Sequence, residues 1–105
     1  MIQHFGTPRP ITAREQRLIE LYVYCPLAMT PEQFYAKWDI KQEAIALICF
    51  RSVSTVRRWF ARGRSHYHPQ PNDLRHLALM DFLLEHFEEI PPEIWQQLCS
   101  TPAQK

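Results

Sequence analysis

Glycine is almost missing from this chain, with two residues in 105. No GxGxxG or phosphate-cradling loop can be built from so few, which removes the nucleotide-binding folds that need close backbone approach. Paired cysteines are missing too. Cys25, Cys49 and Cys99 form an odd set with no CxxC spacing, so neither a disulfide framework nor a zinc knuckle is encoded, and a reducing, cytoplasmic setting is expected. No window approaches about 18 uninterrupted apolar residues, and the stretch Met1 to Pro10 has no apolar signal core, so neither membrane spanning nor secretion is expected. No Ser or Cys has a recognisable base beside it, and the carboxylates are scattered without a paired or metal-binding spacing. The chain is not expected to be an enzyme, and no cofactor or metal is predicted.

What remains is ample apolar material, 46% of residues with 12% aromatic, in a length that suits one domain. Nine prolines sit at segment edges rather than in a PxxP tract, which reads as a series of short helices. Thr12 to about Cys25 carries Leu18, Leu21, Tyr22 and Cys25 on one stripe, behind a Thr12/Glu15 capping box. Met29 to Trp38 opens with Thr30, Pro31 and Gln33 in the order of cap, first-turn proline and box partner. Asp39 with Gln42 predicts a third helix from about Ile40 to Cys49. Ser52 predicts a cap for a fourth, running to Arg62 and ended by Gly63 in a left-handed turn. Arg64 to Asn72 reads as a loop, Asn72 as the cap of a long helix from Asp73 to about Phe87, and Pro91 and Pro92 as the start of a last helix through Leu98. The fold class predicted is therefore all-α, a compact bundle of five to six short helices in a single domain over 1–105, with a flexible arm at 1–10.

The formal net charge is +1, a mean that hides a strong asymmetry. Residues 51–75 carry Arg51, Arg57, Arg58, Arg62, Arg64 and Arg75 against Asp73 alone, whereas residues 76–105 carry five carboxylates against Lys105. Such a stretch can be a solvated basic face. Its all-arginine composition favours recognition of phosphate or carboxylate, because a guanidinium binds those groups bidentately.

The third and fourth predicted helices are about three residues apart, which is helix-turn-helix spacing. That unit, here at about 40–63, needs a small residue where its helices cross and apolar residues on the inner faces. Ala46, Cys49, Val56 and Trp59 fill those places. On this basis Gln42-Glu43-Ala44-Ile45-Ala46 with Ser52-Val53-Ser54-Thr55-Val56-Arg57-Arg58-Trp59-Phe60-Ala61-Arg62-Gly63 resembles the helix-turn-helix of lambda-repressor-like (Cro/C1-type) regulators. More loosely, Pro31 to Leu98 is similar to small cyanobacterial helix-turn-helix domain proteins. The first resemblance implies that the fourth helix enters the major groove of double-stranded DNA. Ser52, Ser54 and Thr55 would then lie at its groove-facing amino end, Arg57, Arg58 and Arg62 would reach the DNA, and Arg51 and Arg64 would flank on phosphates. The chain departs from the family in the turn, where Phe50 and Arg51 replace the usual Gly and apolar residue.

Other readings compete at individual residues. Trp59 and Phe60 among arginines could stack bases of a single strand, although Trp59 stands where the helix must bury a side chain. His66 and His68 could bind a metal, but without a third ligand nearby they read as a wet loop. Cys25 and Cys49 lie on apolar stripes and read as inert core thiols. The function expected is sequence-specific DNA binding by a bacterial transcription regulator. A homodimer on a two-fold operator is expected, with the helices over 73–99 and their Phe82, Phe87, Ile94 and Trp95 as its candidate interface. The alternative is an adaptor module that docks an acidic protein partner on the same basic face.

Overall fold

A computed structural model describes residues 7–99. Most of the expected arm at 1–10 lies outside the described residues, as do positions 100–105. In chain order the helices are α1 (Ala13–Tyr24), α2 (Pro31–Lys37), α3 (Gln42–Cys49), α4 (Val53–Phe60), α5 (Pro71–Glu85) and α6 (Pro92–Cys99), with single 3₁₀ turns at Gly63–Ser65 and Phe87–Glu89. No strand occurs among the described residues, so the all-α class holds.

Local chemistry starts α1, α2 and α4 where the spacing of caps predicts. In α1 the Thr12 hydroxyl and amide both meet the Glu15 carboxylate, and those hydrogen bonds, the hydroxyl's first, hold the Glu15 carboxyl below its usual range. In α2 the Thr30 hydroxyl accepts from the Gln33 amide at 3.0 Å while the Gln33 side chain accepts from the Thr30 amide at 2.9 Å. Two other caps differ from expectation. Asp39 does not cap α3, which begins at Gln42 behind Lys41; Ile40 packs on the core first, so the chain is still extended where the helix was expected. Asn72 does not cap α5, which begins at Pro71 behind Gln70, with Asp73 closing the capping box. Proline takes the first turn there, as in α2, and moves the cap back by two residues.

The core is built by α2 to α5. Phe34, Ile45, Ala46, Cys49, Val56, Trp59 and Leu77 are buried, with Met29, Trp38, Ile40, Ile48, Val53, Phe60 and Met80 packed around them. Ala46 is 3% exposed, between α3 and α4 where a larger side chain would force the helices apart. Across the bundle, Lys37 reaches Asp81 at 2.8 Å and Glu85 at 2.6 Å, and the Trp38 indole N–H donates to Asp81 at 2.9 Å. Lys37, ahead of the indole, holds the Asp81 carboxyl below its usual value, and Asp81 in turn raises the Lys37 ammonium.

Neither α1 nor α6 contributes a buried residue. The stripe Leu18, Leu21, Tyr22 and Cys25 is exposed, so Cys25 is not a core thiol. Helical spacing identifies which side chains share a face and says nothing about what that face meets. Tyr22 does touch the body, with its ring 4.8 Å from the Arg75 guanidinium. Phe82, Phe87 and Ile94 are likewise exposed and Trp95 half-buried, so the first three are not core residues of the monomer.

Candidate nucleic-acid interface

The basic stretch folds as α3, a sharp turn, α4 and a strapped loop. The turn pivots on Phe50, the one non-glycine residue with positive φ among those described, at φ 57°, ψ 45°. Its amide donates to Leu47 and the Arg51 amide to Ala46 at 2.9 Å, which closes α3 in the Schellman pattern usually given to glycine. Phe50 therefore adopts the conformation that glycine normally supplies, and the connection keeps its short length. Its side chain is 82% exposed, with the His76 ring edge-on at 5.7 Å.

Ser52 then caps α4. Its hydroxyl accepts from the Thr55 amide at 3.1 Å and lies 2.9 Å from the Thr55 hydroxyl and 3.1 Å from that of Ser54. The three hydroxyls thus cluster at the amino end of α4, where unpaired amides and the helix dipole favour an anion. Val56 and Trp59 face the core and are essentially inaccessible, whereas Arg57 and Arg58 face outward. Phe60 is half-buried against Tyr35, ring centres 5.3 Å apart. The helix has eight residues, about 12 Å at 1.5 Å per residue, comparable with the roughly 12 Å width of the major groove.

That helix is shorter than expected. It ends at Phe60, Ala61 is extended, and Arg62 lies beyond it with Arg64. Gly63 is left-handed, φ 68°, but it serves a separate 3₁₀ turn rather than the end of α4. The following segment is tied back along the helix. Tyr67 donates its amide to the Arg58 carbonyl at 3.0 Å, the Arg58 Nε donates to the Ser65 carbonyl at 3.4 Å, and the Arg58 guanidinium lies 4.9 Å from the centre of the Tyr67 ring. His66 donates Nδ1–H to the Ala61 carbonyl at 3.0 Å, and its Nε2 faces Nδ1 of His68 at 3.3 Å. Arg58 is thereby a brace that holds the loop bearing Arg62 and Arg64 beside the exposed face of α4.

Arg51 has a different occupation from the phosphate contact expected of it. Its Nε and Nη2 grip the two oxygens of Asp73 at 2.9 and 3.1 Å, and Asp73 is 2% exposed. This carboxylate also accepts from the Gln70 amide at 2.8 Å. One side chain thus caps α5 and ties it to the turn between α3 and α4, and the hydrogen-bonded ion pair holds the Arg51 guanidinium above its usual pKa. Sequence reading missed the pair, though a signal existed in the one acid among six arginines, three residues after a cap position. Cys49 packs beneath it with its sulfur 3.8 Å from the Asp73 carbonyl, and burial, assisted by the Asp73 charge, pushes its thiol up to about 11.

The resulting surface is strongly one-sided. No acidic residue occurs between Glu43 and Asp73, and Asp73 is spent on Arg51. Glu43 reaches Arg57 only at 3.7 Å, both ends well exposed, a contact that an incoming anion displaces at little cost. Among the described residues no carboxylate stands within ion-pair distance of Arg58, Arg62 or Arg64, and no group of three or more His, Cys, Asp or Glu side chains could hold a metal ion. No helix among the described residues is long and apolar enough to cross a membrane. No protein-family model, curated protein or solved structure matches this chain.

Proposed function

We propose that this chain binds duplex DNA through α3, its turn and α4, and acts as a transcription regulator of the helix-turn-helix kind. Ser54, Thr55 and Arg57 face the groove, Arg62 and Arg64 hold phosphates, and Arg58 positions the loop that carries them. Ser52 serves chiefly as the helix cap, and Arg51 serves the fold. The observation that carries this reading is the outward face of α4 together with the loop strapped to it: Arg58, Arg62 and Arg64 without a carboxylate at ion-pair distance and Arg57 only loosely met by exposed Glu43, beside a helix amino end lined with hydroxyls. Two copies acting on a two-fold site would supply the affinity that one small module lacks.

The test is fluorescence anisotropy of labelled duplexes across a salt series. Two arginines on phosphates, Arg62 and Arg64, give a log–log slope of about −2 per protomer, at about −0.9 each. A flat response refutes the proposal. A competing reading, an adaptor that docks an acidic protein on the same basic face, would gain apolar contact from Leu47 and Phe50, which stand 77% and 82% exposed at the end of α3. Loss of an acidic protein ligand with Arg57→Ala, in a chain that shows no salt-dependent binding to duplex, would put that reading in its place.

A further inference from the structure

An isolated helix shorter than about 12–15 residues is marginal in water, and α1 has 12 residues with none buried. Its large apolar side chains are nonetheless wide open, with Leu18 at 66%, Leu21 at 57% and Tyr24 at 81% exposure. At 100° per residue, Arg14 and Arg17 lie within the same arc as these three, while Glu15 and Glu20 project to either side of it. This face is apolar and cationic together. A second unpartnered surface lies at the corner between α5 and α6, where Phe87, Ile90, Pro92 and Trp95 line an apolar groove with Glu88 on its rim. Glu89 and Glu93 stand close by in the chain, and from His76 to Cys99 there is no lysine or arginine. That corner is apolar and anionic together, with Phe87 at 62% and Ile94 at 50% exposure.

The two surfaces complement each other in charge and share apolar character, and no contact between α1 and α6 stands among the main helix pairings of the chain. We propose that they meet between two copies: α1 of each protomer seats in the α5–α6 groove of the other, giving a two-fold dimer with two equivalent contacts. Such reciprocity is what an isologous interface requires. A stable interface of standard size buries about 800 Å² on each partner, and two such contacts draw on exposed Leu18, Leu21, Tyr24, Phe87 and Ile94 of every protomer. The contact leaves the outward face of α4 untouched and does not depend on what α4 binds.

Sedimentation velocity without DNA, at tens of micromolar, tests the proposal on three samples. The full chain sediments as a dimer. Leu18→Asp with Leu21→Asp, and separately Phe87→Asp with Ile94→Asp, each weaken self-association by more than a hundredfold. Both keep a cooperative melt, because none of the substituted residues belongs to the α2–α5 core. Mixed together at raised concentration, the two variants form a heterodimer, weaker than the wild-type dimer, where neither associates alone, since one intact α1 then faces one intact groove while the second contact is lost. A monomeric wild type overturns the proposal, as does a dimeric α1 variant. A groove variant that still dimerises while the α1 variant does not assigns the contact to α1 against α1 and overturns it equally. Absence of a heterodimer in the mixture overturns the reciprocal seating. Loss of DNA binding with the dimer intact would refute the functional reading and leave this contact standing.

Discussion

Replacing Arg51 by alanine isolates the bond between the turn and α5. Removing one member of a buried ion pair costs about 3–5 kcal/mol because the other charge is left uncompensated. Two features of the site reduce that figure. Asp73 keeps the hydrogen bond from the Gln70 amide, and the Arg51 side chain is 39% exposed, so water screens part of the attraction. The expected loss is about 2–3 kcal/mol, which for a domain of this size lowers the melting temperature by roughly 10–20 °C at about 4–8 °C per kcal/mol. Asp73→Asn keeps an oxygen for the Gln70 amide but forfeits the charge, leaving the guanidinium half in water, and is expected to cost about 1–2 kcal/mol. Urea unfolding followed by far-ultraviolet circular dichroism measures both, and a double-mutant cycle gives the coupling. If Arg51→Ala stayed within about 0.5 kcal/mol of wild type, as ordinary surface substitutions do, the pair would be ornamental and Arg51 would return to the set of phosphate contacts. The salt slope for duplex binding supplies an independent reading, because removing a structural arginine leaves it unchanged in the folded protein whereas removing a phosphate contact reduces it by about 0.9.

Phe50→Gly is expected to stabilise the fold by about 0.5–1 kcal/mol, since relief of the left-handed backbone, about 1–2 kcal/mol, exceeds what the edge contact with His76 and the added chain entropy take back; a loss on thermal melting would contradict this. Trp59→Ala is expected to cost about 3–5 kcal/mol through the cavity it leaves, against less than about 0.5 kcal/mol for Arg57→Ala, and similar melts for the two would mean that α4 is rotated from the orientation described. Cys25 and Cys99 are exposed and Cys49 buried, so iodoacetamide under native conditions should modify the first two and spare Cys49 until denaturant is added, as mass spectrometry of peptides would show. Because the Cys49 thiol is raised to about 11 and an unfolded one titrates near 8.5, the native state keeps a proton that the unfolded chain loses. Stability should therefore fall as pH rises between those values, by about 2–3 kcal/mol more than in Cys49→Ala; parallel pH curves for the two proteins would refute the assignment.

Much of the architecture was legible where local chemistry decides it. The boxes at Thr12 and Thr30, the serine cap of α4, and the inward set Ala46, Cys49, Val56 and Trp59 all follow from spacing, because each depends on neighbours within a few positions. The cap of α5 could have been read as well, since Gln70, Pro71 and Asp73 repeat the order of Thr30, Pro31 and Gln33, but Asn72 offered a better cap side chain nearby. The site was harder. Arg51 and Asp73 are 22 residues apart, and no periodicity joins an arginine in a turn to an aspartate in the next helix but one. Arg58 reads as one more outward arginine until the chain folds back and puts Tyr67 and Ser65 against it. The exposure of α1 was illegible for the opposite reason: its pattern is that of a packed helix, and whether a partner exists is a property of tertiary structure.

The tie between α2 and α5 also has a kinetic meaning. The pairing of α3 with α4 spans a few residues of intervening chain and forms early at little entropic cost, whereas Trp38 and Asp81 must close a separation of 43 residues before Lys37 and the indole gain anything from meeting them. Contacts that form after the folding barrier act on the way out rather than on the way in. Loss of the Lys37, Trp38 and Asp81 cluster is therefore expected to speed unfolding and leave the refolding rate nearly unchanged, and a stopped-flow comparison of Lys37→Ala with wild type in which refolding slowed instead would place this contact in the folding nucleus.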